Sequence, residues 1–155
     1  MTAAYLVTER ETDVALLRKL LPTVLTADLV FYATNGRSSV YSAAGTLLSD
    51  RSRPVVIVVD ADTQDPSEIQ EKINLANTLL LPAAPLHVPF KVLFGVPTIA
   101  SILMTEPATQ ELLKTQSSSA IALDHLTPSQ IQTLQHHPLL QQIIEFLSGV
   151  AQQIA

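Results

Sequence analysis

The chain has no cysteine and no tryptophan, only four glycines, and aromatic residues make up 5% of its 155 positions. Without thiols there is neither a disulfide framework nor a thiolate metal centre, which makes the cytoplasm the expected compartment. Basic residues are scarce too: nine Lys and Arg stand against fourteen Asp and Glu, a formal net charge of −5. A field of that sign repels a polyanion. Tight nucleic-acid binding by this chain alone is therefore disfavoured without divalent cations, a local basic group such as Arg37, Arg51 and Arg53, or a basic partner chain. Long apolar runs are also missing. The longest, residues 78–89, is interrupted by Pro82, Pro85 and Pro89 and falls short of the roughly 20 residues needed to cross a bilayer, so no membrane partner is expected. The opening MTAAYLVTERETD turns acidic by Glu9 without a basic n-region and long apolar stretch, which argues against a secretory signal.

What is abundant is short apolar segments, 47% hydrophobic residues with a mean hydropathy of +0.30. A chain of this length and composition is expected to fold as one domain, 1–155, made of an α/β core over 1–104 and a helical C-terminal extension over 105–155. The pattern predicts strands at 3–7, 28–33, 54–59 and 90–94, with helices at 11–21, 38–48 and 67–81 between them. That alternation specifies an α/β fold with a mostly parallel, Rossmann-like four-stranded sheet flanked by helices. Beyond Val96 the segments 98–104, 107–114, 127–135 and 138–155 read as helices forming a C-terminal cap, with Thr127 and Pro128 as an N-cap and first-turn pair. The last of these carries an apolar stripe through Leu139, Leu140, Ile143, Ile144, Phe146, Leu147 and Val150. Such a helix either closes the core or forms a homodimer with a second copy. The serine-rich stretch 117–120 reads as a loop.

The sharpest feature is VVIVVDADTQD, residues 55–65. Five β-branched residues in a row read as a central strand covered on both faces, and acids follow at its carboxyl end. In open α/β sheets that edge is where ligands bind. On an extended segment Asp60 and Asp62 point to one side and can share a hard cation, while Glu9 lies past the neighbouring strand at the same edge. Converging carboxylates need a counter-charge, and Mg²⁺, or Mn²⁺, suits an all-oxygen site completed by substrate phosphates. The alternative is a capping loop, with Asp65 before Pro66 as helix cap. Gly36, Arg37 and Ser38 can hold a phosphate at the start of the second long helix, or simply form a glycine turn with a serine N-cap. Arg51 and Arg53 fall at the opposite edge. His87, His125, His136 and His137 lack metal-ligand spacing and read as surface or capping residues.

In LVTERETDVALLRKLL, Glu9, Thr12 and Asp13 resemble the hydrophobic-E-G-x-T-D-hydrophobic opening of Toprim domains. That fold is shared by type IA and type II topoisomerases, bacterial primases, a recombination mediator and OLD-type nucleases. Asp60 and Asp62 look like the Toprim DxD, and FYATNGRSSVYSAAGTLL resembles the Gly-Ser turn of OLD-like members. The three motifs, in order, cover about the first two thirds of the chain. The resemblance implies a small stand-alone, OLD-nuclease-like protein that hydrolyses phosphodiesters with one or two Mg²⁺ ions. Glu9 would be general acid/base or metal ligand, with Asp60 and Asp62 as metal ligands. Asp13 either binds or orients the metal or is a first-turn acid favoured by the helix dipole. Nucleic acid is then the expected substrate, and an ATPase or other protein the expected partner, because OLD-type nucleases carry an ATPase in the same chain. Two positions depart from the pattern. Arg10 stands where the family has glycine, able to crowd or contact a phosphate, and Ala100 stands where OLD-like members place a glutamate of the second metal site. The competing expectation is a catalytically inactive Toprim-like, or receiver-like, adaptor that binds a partner protein.

Overall fold

A computed structural model of the chain describes residues 3–105, 107, 110 and 126–154. Strand β1 (Ala4–Thr8) leads into helix α1 (Glu11–Leu20), a single helical turn α2 (Thr23–Thr26), strand β2 (Leu29–Ala33) and helix α3 (Arg37–Arg51). Strand β3 (Val55–Asp60), helix α4 (Pro66–Leu80), a 3-10 turn (Leu81–Ala83) and strand β4 (Phe90–Gly95) complete the alternating region. A 3-10 helix (Ile99–Thr105), helix α5 (Pro128–Leu134) and helix α6 (Pro138–Ile154) follow. The four strands pair in parallel in the order β2-β1-β3-β4, the expected α/β sheet.

Local chemistry sets most boundaries. Asp65 caps α4, its carboxylate accepting from Ser67 N–H at 2.9 Å, with Pro66 in the first turn. Thr127 and Gln130 form a reciprocal capping box on α5. At α6 the Nδ1 of His137 accepts from Leu139 N–H at 3.1 Å, a capping role for a histidine whose pKa burial lowers. Some boundaries differ from expectation. Helix α3 starts at Arg37 with Gly36 as N-cap, so Ser38 lies inside the first turn and is not the cap. It runs on to Arg51 and ends at Ser52, in the left-handed region at φ 51°. The segment expected as a helix at 98–104 winds as a 3-10 helix over Ile99–Thr105, and the single turn of α2 is too short to leave a periodic signal in the sequence. The expected helix at 107–114, apart from 107 and 110, lies outside the described residues, as do the 117–120 loop and His125.

The sheet is covered on both faces, as the β-branched run requires. Val56 and Val58 join Leu6, Leu17, Ile102, Leu140 and Ile143 on one side, whereas Val55, Ile57 and Val59 join Val7, Val40, Leu48 and Leu80 on the other. Each fully buried aliphatic side chain contributes about 1.5–3 kcal/mol. The stripe of α6 at Leu139, Leu140, Ile143, Leu147 and Val150 is buried in the first of these clusters, so the helix closes its own core. No helix among the described residues is long and apolar enough to cross a membrane.

One glycine decides how the polypeptide leaves the sheet. A Cβ on Gly95 would lie 2.5 Å from the Ile99 nitrogen, 2.6 Å from its Cα and 2.7 Å from the Thr98 carbonyl carbon. All three are backbone atoms that cannot swing aside. Gly95→Ala should therefore destabilise the fold by at least about 2 kcal/mol, whereas Gly149→Ala in α6, where a Cβ meets nothing within 4 Å, should be neutral or stabilising by up to about 1 kcal/mol. Urea unfolding of the two variants beside wild type measures both, and equal stability of all three would refute the close approach at Gly95.

Candidate functional site

The chain winds one way from β1 to β2 and the other way from β3 to β4, so the topological switch lies between the adjacent strands β1 and β3. A crevice at the carboxyl ends of such strands is the expected ligand position in an open α/β sheet. The residues found there are Thr8 closing β1 and Glu9 after it, Asp60 closing β3, Asp13 in the first turn of α1, and Asp62. Arg51 and Arg53 do lie at the other end, where α3 finishes and β3 begins.

Asp60 is inside the strand rather than beyond it, paired with Gly95 and 3% exposed. One carboxylate oxygen accepts from the backbone N–H of Ile99 at 2.6 Å, and the other accepts from the guanidinium of Arg10. The same guanidinium donates through Nε to Asp13 at 3.2 Å, and Thr8 Oγ1 lies 3.5 Å from that Asp13 oxygen. Arg10 thus bridges two buried acids from a half-exposed position, its side chain 50% accessible. Arg37 forms a second bridge, to Asp62 and, at 3.4 Å, to Glu9.

Asp60 and Asp62 do not share a face in the way an extended segment would place them. Asp62 adopts φ 57°, a left-handed turn fixed by its N–H donating to the Pro97 carbonyl at 2.7 Å. Its half-exposed side chain goes to Arg37, whereas Asp60 goes to Arg10. The four carboxylates are consequently held as two arginine-bridged pairs. Among the described residues no three His, Asp or Glu side chains gather as a metal-holding group.

The counter-charge that convergent carboxylates require is met here by guanidinium groups. The Asp13–Asp60 pair is a cation position by chemistry, all carboxylate oxygen and suited to a hard ion, but Arg10 fills it. A divalent ion there would have to displace Arg10, whose side chain is half exposed. Gly36, Arg37 and Ser38 do come together at the start of α3, beside Asn35 in the left-handed region at φ 60°, and Arg37 is committed to acids. Ala100 lies in the 3-10 helix, packed against the core.

Three participants had little sequence signal. Lys72, on α4, donates to the Ala61 carbonyl at 2.6 Å. Ile99 contributes only its backbone N–H, and Gly95 only its missing side chain; a glycine closing an apolar strand is the one hint available. A cavity of about 550 Å³ runs between edge strand β2 and α3 past Tyr32, Thr34, Ser42 and Asp50 and contains none of the acid cluster. No family model matches this chain, and no curated protein or solved structure matches it either.

Burial first, and then the charges of Asp60 and Glu9, raise the pKa of Asp13 above its ordinary value against the opposing hydrogen bond and charge of Arg10. The folded protein therefore binds this proton more tightly than the unfolded chain, so the contribution of Asp13 to stability falls as pH rises from the ordinary aspartate range through its raised pKa. Asp13→Asn removes that dependence. Relative to wild type it should be near neutral at about pH 4 and stabilising at about pH 7, by about 1.4 kcal/mol for each tenfold change in proton affinity. Denaturant titrations at both pH values check this, and a variant less stable at neutral pH would show that the Arg10 ion pair outweighs burial.

Proposed function

We propose that this chain is a Toprim-like protein of nucleic-acid metabolism whose acidic crevice hydrolyses phosphodiesters, with Mg²⁺ or Mn²⁺ competing against Arg10 for Asp13 and Asp60. The observation that carries the reading is the bridge itself: two buried carboxylates at the switch point of a parallel sheet share one cation, and that cation sits on a half-exposed side chain. The motif resemblance at Glu9, Asp13, Asp60 and Asp62 supplies the reaction class.

Asp60 and Asp13 would hold the metal, with waters and substrate phosphate oxygens completing its ligands. When bound, the ion supplies Lewis-acid polarisation of a phosphoryl oxygen. Glu9 is 20% exposed on its side chain, open enough to exchange a proton with an attacking water or a leaving oxygen. Arg10, once displaced, is anchored at the N-terminus of α1 and can contact a phosphate. Ile99 N–H keeps Asp60 oriented throughout. Substrate attraction has to come from elsewhere, since four carboxylates against two arginines leave the crevice negative, and a basic or ATPase partner would supply it.

A second reading, a non-catalytic Toprim-like adaptor, is favoured by one observation: Arg10 already neutralises the Asp13–Asp60 pair without a metal. A receiver-like adaptor has less support, because both oxygens of Asp60 are engaged and the residue is buried, which leaves no atom ready to accept a phosphoryl group.

Calorimetric titration with Mn²⁺ and cleavage assays on single- and double-stranded DNA and RNA separate the two. Arg10→Gly should bind Mn²⁺ at least about tenfold more tightly than wild type, since it removes the competing cation, and Asp60→Asn should abolish binding. Glu9→Gln should retain the metal and lose about 10²–10⁴-fold in cleavage rate. If Arg10→Gly neither binds Mn²⁺ at millimolar concentration nor cleaves any substrate, the adaptor reading replaces the nuclease one.

A further inference from the structure

Beside the acid crevice, on the face of the sheet covered by α3 and α4, lies a separate cavity of about 130 Å³. It is lined by Arg37, Tyr41, Lys72, Leu75, Ala76 and Phe94. No acidic residue lines it, although the chain as a whole carries an excess of acids. Two cations from different helices and a phenol meet two apolar side chains and a phenyl ring at the end of β4.

Its cationic groups have unspent donors. The Nε–H of Arg37 has no acceptor among the described residues and is closed to solvent as the side chain lies, so a ligand gains it only by drawing the guanidinium away from Asp62. Lys72 commits one of the three N–H donors of an ammonium group to the Ala61 carbonyl. Burial raises the pKa of the Tyr41 hydroxyl, so it remains a neutral donor at physiological pH. The apolar side differs in kind: Phe94 and Leu75 offer a ring and an aliphatic surface with no polar demand.

We infer that this cavity is a binding subsite for the phosphate end of a nucleotide, with Lys72, Arg37 and the Tyr41 hydroxyl on the phosphate and Phe94 and Leu75 against the attached sugar or base. The volume suits an end group. One water occupies about 30 Å³ of liquid, so the cavity has room for a phosphate group and a portion of a ring, well below the roughly 300 Å³ at which sites engulf a whole small ligand. Asp62 is the built-in competitor, because it already holds Arg37. The subsite rests on the proposed function only in taking the phosphate to belong to a nucleotide; it needs neither a metal nor cleavage.

Titrations in EDTA keep the two apart. Thymidine 5′-monophosphate, inorganic phosphate and thymidine are added to isotopically labelled protein, and NMR shifts at Tyr41, Lys72 and Phe94 are followed. The nucleotide should bind more tightly than phosphate, and thymidine should not saturate. Lys72→Gln should weaken nucleotide binding about tenfold, equivalent to about 1.4 kcal/mol, with Lys72→Arg restoring most of it. Asp62→Asn should strengthen binding several-fold by releasing Arg37, and asparagine tolerates the left-handed backbone at that position. Saturable nucleotide binding with these opposite responses supports the subsite even if every cleavage assay is negative. It is overturned if wild type shows no saturable shift, if thymidine binds as well as its phosphate, or if a folded Lys72→Gln binds like wild type.

Discussion

Asp60 is a carboxylate inside a strand whose other residues are all aliphatic and buried, and its charge has to be met within the protein. Both of its oxygens are engaged: Ile99 N–H takes one and Arg10 the other. A buried charge without partners would cost several kcal/mol, so the arrangement around Asp60 is imposed. Gly95 lacks a side chain where the Thr98–Ile99 backbone crosses it, and only that crossing brings Ile99 N–H to Asp60. Arg10 is the N-cap of α1, and from there one guanidinium reaches both Asp13 in its own helix and Asp60 across the sheet.

The same interaction frames the functional question. A guanidinium and a divalent ion answer the same electrostatic need with different geometry, one planar and directional, the other compact and demanding octahedral oxygen ligands. In this chain the guanidinium is tethered two residues past β1, at very high effective concentration, so any metal competes with an intramolecular partner. Arg10 is half exposed, which lowers the strength of its bridge relative to a fully buried ion pair. The structure holds the closed, arginine-bridged arrangement, and the proposed chemistry would require Arg10 to give way to a metal.

Arg37 has the corresponding role farther out. It joins Glu9 and Asp62 on one side and lines the cavity shared with Lys72 and Tyr41 on the other. Acid crevice and cationic cavity are thus neighbours through a single residue, an arrangement that allows negative charge brought into one to be felt in the other.

Residue order and hydrophobic period were enough to set the alternation of strands and helices, the central buried position of 55–59, and the edge at which Glu9, Asp60 and Asp62 lie, whereas Asp13 was marked only by the motif resemblance. These are local properties that a parallel sheet converts directly into place. The caps at Asp65 and Thr127 were legible for the same reason, since each cap acts within three residues. Which cation answers which acid was settled only by tertiary packing. Arg10 and Asp60 are fifty positions apart, Arg37 and Asp62 twenty-five, and no periodicity relates them. Packing also turns Asp62 away from Asp60, because the left-handed turn there is held by the Pro97 carbonyl from a distant loop, and it makes Lys72 and Phe94 share a cavity, because only the packing of α4 over β4 brings them together.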